Sequence, residues 1–173
     1  MPATAEKTEL VITRVFDAPR ELVITRVFDA PRELVWQVWT EPQHVAQWYG
    51  PKGFATRVNE LDLRPGGHWR YVMVSPDGSE YPIKGEFREV VLFERIASFD
   101  EPDDGLELED GADHPMGNLV TCVFDDLGDQ TQLTMRITHG SVEDSQKYEE
   151  MGAVAGWNAS FDRLAEHLVT LAD

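Results

Sequence analysis

The sequence predicts an α+β domain: seven antiparallel strands, two short helices after the first strand, and one long helix at the C-terminus. Three observations carry that reading. From Phe54 to His139, short β-prone runs alternate with tight turns such as Arg64-Pro65-Gly66-Gly67, Pro76-Asp77-Gly78-Ser79 and Asp125-Asp126-Leu127-Gly128-Asp129, the pattern of an antiparallel meander. Beyond them, apolar residues fall at Val154, Trp157, Phe161, Leu164, Leu168 and Leu171, a three-four spacing that draws one stripe along a helix. Before them, the β-branched run Leu22–Phe28 gives way to Pro31 and Trp36-Gln37-Val38-Trp39, a strand followed by a proline suited to a first helical turn.

Taken in order, Met1–Thr8 reads as a tail. ELVITRVFDAPR at Glu9–Arg20 then recurs unchanged at Glu21–Arg32, and the identity continues through Glu33-Leu34-Val35. A period of twelve is too short for a solenoid, whose units span roughly 20–50 residues; the copy reads as a duplicated strand and turn. The heptapeptide Asp17–Val23 leads into Ile24-Thr25-Arg26-Val27-Phe28, whereas the same seven residues at Asp29–Val35 lead into the helix. Context must therefore outweigh local propensity. The first short helix spans about Pro31–Trp39. A second restarts at Thr40-Glu41-Pro42, runs to Trp48 and ends at Gly50-Pro51-Lys52-Gly53. Strands follow at Phe54–Leu63, His68–Val74, Tyr81–Glu89, Arg95–Asp100, Asn118–Phe124 and Gln130–His139. Trp69, Tyr71 and Met73 alternate with His68, Arg70 and Val72, so the two sets face opposite ways. The last helix is read as continuous from Val142 to Leu171, with Gly152 and Gly156 inside it, each costing about 1 kcal/mol relative to alanine.

Composition narrows the function. At 173 residues the chain fits one domain, large enough to bury about 70% of its unfolded surface. Five Trp and eight Phe support a packed core. The single cysteine, Cys122, excludes an intrachain disulfide and a cysteine-based zinc site. No leader or membrane-spanning apolar run is present, so a soluble, cytoplasmic protein without membrane insertion is expected. The formal charge is −17, and eight acids with no base crowd into Asp100–Asp113. Such a field disfavours phosphate backbones, so no nucleic-acid partner is expected. The acidic run itself reads as a solvated loop.

Three stretches carry a resemblance: FDAPRELVWQVWTEPQHVAQWYGPKGF at Phe28–Phe54, DLRPGGHWRYVMVSPDGSEYPIKGEFREV at Asp62–Val90, and MGAVAGWNASFDRLAEHL at Met151–Leu168. Together they are similar to the family of activator of heat-shock-protein-90 ATPase homologue-like proteins, within the START-like, birch-pollen-allergen-like (SRPBCC) superfamily. The resemblance covers about Glu21–Leu171. It implies the helix-grip fold, a strongly curved sheet wrapped around the C-terminal helix with a cavity between, over residues 21–173. Residues 1–20 are then a tail and a surplus copy of the first strand. Three fates are open to that copy: pairing beside its own duplicate, pairing with another subunit's edge, or staying disordered. Because an unpaired strand is a template for association, a homodimer is among the expected outcomes. About chemistry the resemblance implies less, because the superfamily spans lipid carriers, hormone receptors, polyketide cyclases and co-chaperone domains, and fold does not set function.

The residues themselves favour binding over catalysis. The histidines show no metal spacing, no GxSxG-like text presents a nucleophile, and Pro65-Gly66-Gly67 precedes a strand where a phosphate loop precedes a helix. No metal, cofactor or catalytic residue is assigned. Aromatic side chains on one sheet face and the facing helix are the natural walls of an apolar pocket. The candidates are Trp69, Tyr71, Met73, Phe87, Met151, Trp157 and Phe161, with Trp48 and Phe54 near a mouth and His139 and Asn158 as polar members. The expected partner is a small apolar or aromatic molecule. The alternatives are a polyketide cyclase/aromatase-like enzyme using Tyr71, His139 and Asn158 for proton transfer, and a module that stimulates a chaperone ATPase.

Overall fold

A computed structural model describes residues 21–102 and 118–171 of the chain. The surplus copy at Glu9–Arg20 and most of the acidic run Asp100–Asp113 lie outside the described residues.

The first strand, β1 (Glu21–Phe28), is followed by α1 (Arg32–Thr40) and α2 (Pro42–Trp48). A meander follows: β2 (Ala55–Leu61), β3 (His68–Val74), β4 (Glu80–Val91), β5 (Arg95–Pro102), β6 (Asn118–Asp126) and β7 (Thr131–Thr138). Two helices end the described chain, α3 (Val142–Glu150) and α4 (Ala153–Leu171). The tripeptide Glu-Leu-Val thus forms strand at Glu21–Val23 and helix at Glu33–Val35, as the repeat required. At the first site the residues pair with β7; at the second, Val35, Trp36 and Val38 are buried against the core.

The seven strands make one curved antiparallel sheet in the order β1-β7-β6-β5-β4-β3-β2. Every pairing but one joins strands adjacent in sequence; the exception sets β1 beside β7, from Glu21↔Thr138 to Phe28↔Thr131. Register shifts at Val58/Glu60 and Phe87/Glu89 insert bulges, which bend a strand and increase its twist. The bends turn the sheet's inner face into a concavity that holds α4, giving the helix-grip fold.

The end of that concavity nearest α1 and α2 is filled. Phe28, Trp48, Phe124, Phe161 and Leu164 are all no more than 1% exposed. Trp48 satisfies its indole N–H by donating to the Val38 carbonyl at 2.9 Å. Two arginines fasten the frame. Arg26 on β1 donates to Asp162 on α4 at 2.7 Å, and Arg163 donates to the carbonyls of Gly50 and Pro51 at 2.9 and 3.0 Å. The second contact pins the segment after α2, which carries Tyr49, to the long helix.

The final helix differs from the sequence expectation. It is two helices, broken at Met151-Gly152, where Gly152 takes φ +86°. A glycine in the left-handed region just past a helix is a common C-terminal stop. Gly152 therefore ends α3 and is not an interior glycine. Among the described residues no helix is long and apolar enough to cross a membrane.

Candidate functional site

The site grows from the alternation on β3. Trp69 and Tyr71 turn inward, their rings 4.7 Å apart between centroids. The Trp69 indole lies flat across β4 because its cross-strand partner is Gly85. A Cβ added there would meet Trp69 Nε1 at 2.3 Å, so only glycine permits this close approach. Held this way, Trp69 Nε1–H donates to Ser98 Oγ at 2.9 Å, and the Ser98 hydroxyl donates to Asp100 Oδ1. Ile96, Ser98 and Asp100 are alternate residues of β5 and share its inward face.

Between this face and the first half of α4 the molecule is hollow. A chamber of about 350 Å³ adjoins a recess of about 50 Å³, and Tyr49, Trp69, Asp100, Val120 and Trp157 border both. The hollow exists because α4 presents small residues there: Ala153, Gly156 and Ser160 line it. A Cβ added at Gly156 would meet nothing within 4 Å, so this glycine leaves open room. Tyr49 stands edge-on to both Tyr71 and Trp157, at 5.1 and 5.7 Å. On α3, Tyr148 completes the wall, accepting the Trp157 indole N–H at 3.0 Å.

Asp100 dominates the electrostatics. It is half-buried, and desolvation lifts its pKa to about 8 even though the Ser98 hydrogen bond pulls the other way. Burial and the nearby carboxylate push Tyr148 up to about 12 and raise Tyr71 and Cys122 further. Tyr49 is raised by burial, then by Asp100 and the other tyrosines. These four groups stay neutral across the physiological range, leaving Asp100 as the group that titrates near neutrality. No Lys, Arg or His lines either chamber among the described residues. Among those residues no cluster of three or more His, Cys, Asp or Glu is placed to hold a metal ion.

The family model described as "Activator of Hsp90 ATPase homolog 1-like protein" matches residues 29–169. The chain belongs to this family. Solved structures agree on the architecture. A Nitrosomonas europaea protein is 29% identical, with a TM-score of 0.74 over 90% of this chain and 97% of that one. A Mycobacterium smegmatis protein is 26% identical, with a TM-score of 0.77 over 92% and 95%. An Arthrobacter aurescens protein, at 23% identity, has a TM-score of 0.83 over 94% and 92% and speaks for the fold alone. No curated protein matches the chain.

Of the residues singled out from sequence, Trp69, Tyr71, Met73, Phe87, Met151 and Trp157 border the hollow. Five do not. Trp48 and Phe161 are packed into the filled end, at 1% and 0% exposure. Phe54 sits outside, tilted against Tyr81 at 6.0 Å, and it is Tyr81 that borders the chamber. His139 is buried against the Tyr148 ring at 4.7 Å, behind the wall. Asn158 follows Trp157 by one position, about 100° around the helix, and its neighbour takes the cavity face. The residues missed are Tyr49, Ser98, Asp100, Asn118, Cys122 and Tyr148. The signal for two of them was present: counting by twos from Ile96 puts Ser98 and Asp100 on the inward face, but Asp100 also begins a run of acids and was grouped with it.

Proposed function

We propose that this family member binds a small apolar or aromatic molecule between the concave face of the sheet and α4. One observation carries the reading: a chamber of about 350 Å³, walled by aromatic rings, in a domain whose other end is packed solid. A chamber of this size suits a small organic molecule, and an apolar wall with a few placed polar groups is the usual build of a ligand site. The neutral fluorescent probe N-phenyl-1-naphthylamine should brighten on mixing with the protein. Gly156→Leu, which places a side chain into open space, should abolish the signal while the thermal midpoint holds or rises. Absence of brightening with the parent chain, together with a bare mass in native mass spectrometry, would refute the reading.

Asp100 favours a second reading, proton transfer on a bound molecule. A carboxyl with a pKa near 8 can take and return a proton at neutral pH. Of the polar groups proposed from sequence for that role, Tyr71 lines the adjoining recess, which Asp100 also borders. A compound recovered from the purified protein would then change when incubated with the parent chain and persist with Asp100→Asn. Equal persistence with both would remove catalysis from consideration.

The duplicated strand supports a proposal about assembly. Among the described residues β1 is a terminal strand of the sheet, paired with β7 on one side, and Glu9–Phe16 repeats its sequence. Pairing of that copy with the β1 edge of a second subunit would make a homodimer. Deleting residues 9–20 should then halve the mass seen by light scattering; an unchanged mass would count against it.

A further inference from the structure

The polar inventory of the chamber is lopsided. Asp100 accepts a hydrogen bond from Ser98 and borders both the chamber and the recess. Asn118, which borders the same chamber, has a buried Oδ1 with no hydrogen-bond partner among the described residues. A carboxyl and an unfilled acceptor therefore border one space, and among the described residues no lysine, arginine or histidine lines it to supply a countercharge. A buried polar atom without a partner is costly. Such an atom on Asn118 beside the Asp100 carboxyl describes what should fill the hollow: a group rich in N–H donors.

The walls add a second, independent description. Tyr49 meets Tyr71 and Trp157 edge-on at 5.1 and 5.7 Å, and Trp69 lies 4.7 Å from Tyr71. Four electron-rich rings around a carboxyl form a cage of the kind that attracts an ammonium group. The approach is favourable as well. β5 ends at Pro102, two residues past Asp100, and β6 begins at Asn118; residues 101–117 carry seven acids with no lysine or arginine. With a formal charge of −17 overall, the protein's field draws cations and repels anions.

We infer that the chamber takes a small primary amine, its ammonium group between Asp100 and Asn118 and its apolar or aromatic body among the rings. This rests on the binding reading above and names the ligand's class. A carboxylate ligand would meet Asp100 with no countercharge nearby. A neutral carbonyl ligand could accept from a tyrosine or from protonated Asp100, yet would leave the Asn118 oxygen unfilled. An ammonium group both donates to the Asn118 oxygen and brings the Asp100 carboxylate a countercharge. Its arrival ionises Asp100 and expels the carboxyl proton to solvent. Tyr49, Tyr71, Tyr148 and Cys122, the other titratable groups facing Asp100, remain neutral throughout.

Calorimetric titration with three probes sharing an indole body decides the matter: tryptamine, 3-methylindole and indole-3-propanoate. The parent chain should bind tryptamine about tenfold or more tighter than 3-methylindole, and the propanoate weakest. Asp100→Asn should bring tryptamine down to the level of 3-methylindole, whose own binding persists and reports an intact chamber. Should that variant fail to fold, the parent chain still gives an answer. At pH 7, titrations in two buffers of different ionisation enthalpy should show about one proton released per tryptamine and none for 3-methylindole. Equal affinity for amine and neutral probe, with no proton released, would overturn the amine assignment and leave the binding reading standing. Failure of all three probes to bind would overturn both.

Discussion

The two ends of this domain hold the same kinds of side chain to opposite effect. Near α1 and α2, Phe28, Trp36, Trp39, Trp48, Phe124 and Phe161 lock together, with Trp36 5.4 Å from Phe124 and Trp39 4.8 Å from Trp48 between ring centroids. At the other end Tyr49, Trp69, Tyr71, Tyr148 and Trp157 surround empty space. One helix accounts for the difference. The second half of α4 sends Phe161, Leu164 and Leu168 into the sheet, whereas its first half offers Ala153, Gly156 and Ser160. Interiors pack to crystal-like density, so a persistent hollow among large rings reflects side chains too small to reach across. The hollow end also holds what the filled end lacks, a carboxyl among tyrosines. Volume and ionisable chemistry coincide at this end of the domain.

The largest expected effect comes from removing the charge. The pKa of Asp100 is about 8 when folded against 3.8 for an ordinary aspartate, so the folded chain holds this proton more tightly than the unfolded chain. Stability must then fall as pH rises from about 4 to 8 and level off above, because over that interval unfolding releases a proton. At about 1.4 kcal/mol per pH unit the loss reaches at most about 6 kcal/mol, and less to the extent that water enters the chamber. Asp100→Asn should therefore match the parent chain near pH 4 and exceed it increasingly towards pH 8. Urea midpoints for both proteins across that range check this; parallel curves would mean that Asp100 is solvated and the electrostatic half of the comparison is wrong.

Truncation at each end sharpens the packing half. Phe161→Ala opens a void in the filled end and should cost about 3–5 kcal/mol. Trp157→Ala removes a larger side chain but one that already borders empty space, and should cost roughly half as much despite losing its hydrogen bond to Tyr148. Thermal unfolding of the two variants beside the parent chain gives the ranking. A larger loss at Trp157 would show that the hollow end is packed as tightly as the other.

How much of this was legible in the sequence follows the same division. The order of elements and the inward set on β3 could be read because turns and two-residue alternation are local signals. Phe161 and Trp157 could not be told apart, since both lie on one helical stripe and only the opposing residues decide whether space remains. Gly152 and Gly156 look alike in sequence, yet one terminates α3 with a positive φ while the other holds a hollow open. Asp100 was obscured by its neighbours: an acid at the start of an acidic run reads as solvated unless the inward alternation of β5 is carried to its last residue. Tyr49 and Tyr148 come from a loop and a polar helix, and no local pattern points them inward. Their positions depend on the Arg163 clamp and the Trp157 hydrogen bond, contacts between segments distant in sequence.

The smallest effect is also the most selective. Gly156 lies inside α4 and has no positive φ, so its backbone suits any residue. Alanine there removes the entropic penalty of a helical glycine, a gain of about 1 kcal/mol, and its methyl group meets nothing within 4 Å. At the filled end a small-to-large change would strain the core; here Gly156→Ala should raise the thermal midpoint by a few degrees. The added methyl enters the chamber, so a bound molecule that fits closely should bind more weakly to the same, more stable protein. Stability and affinity moving in opposite directions would mark Gly156 as a residue that keeps space for a ligand. A gain in stability with unchanged affinity would place the ligand away from α4, against the β3 and β5 wall. A loss of stability would mean that the first half of the helix is as closely packed as the second, removing the physical basis of the difference between the two ends.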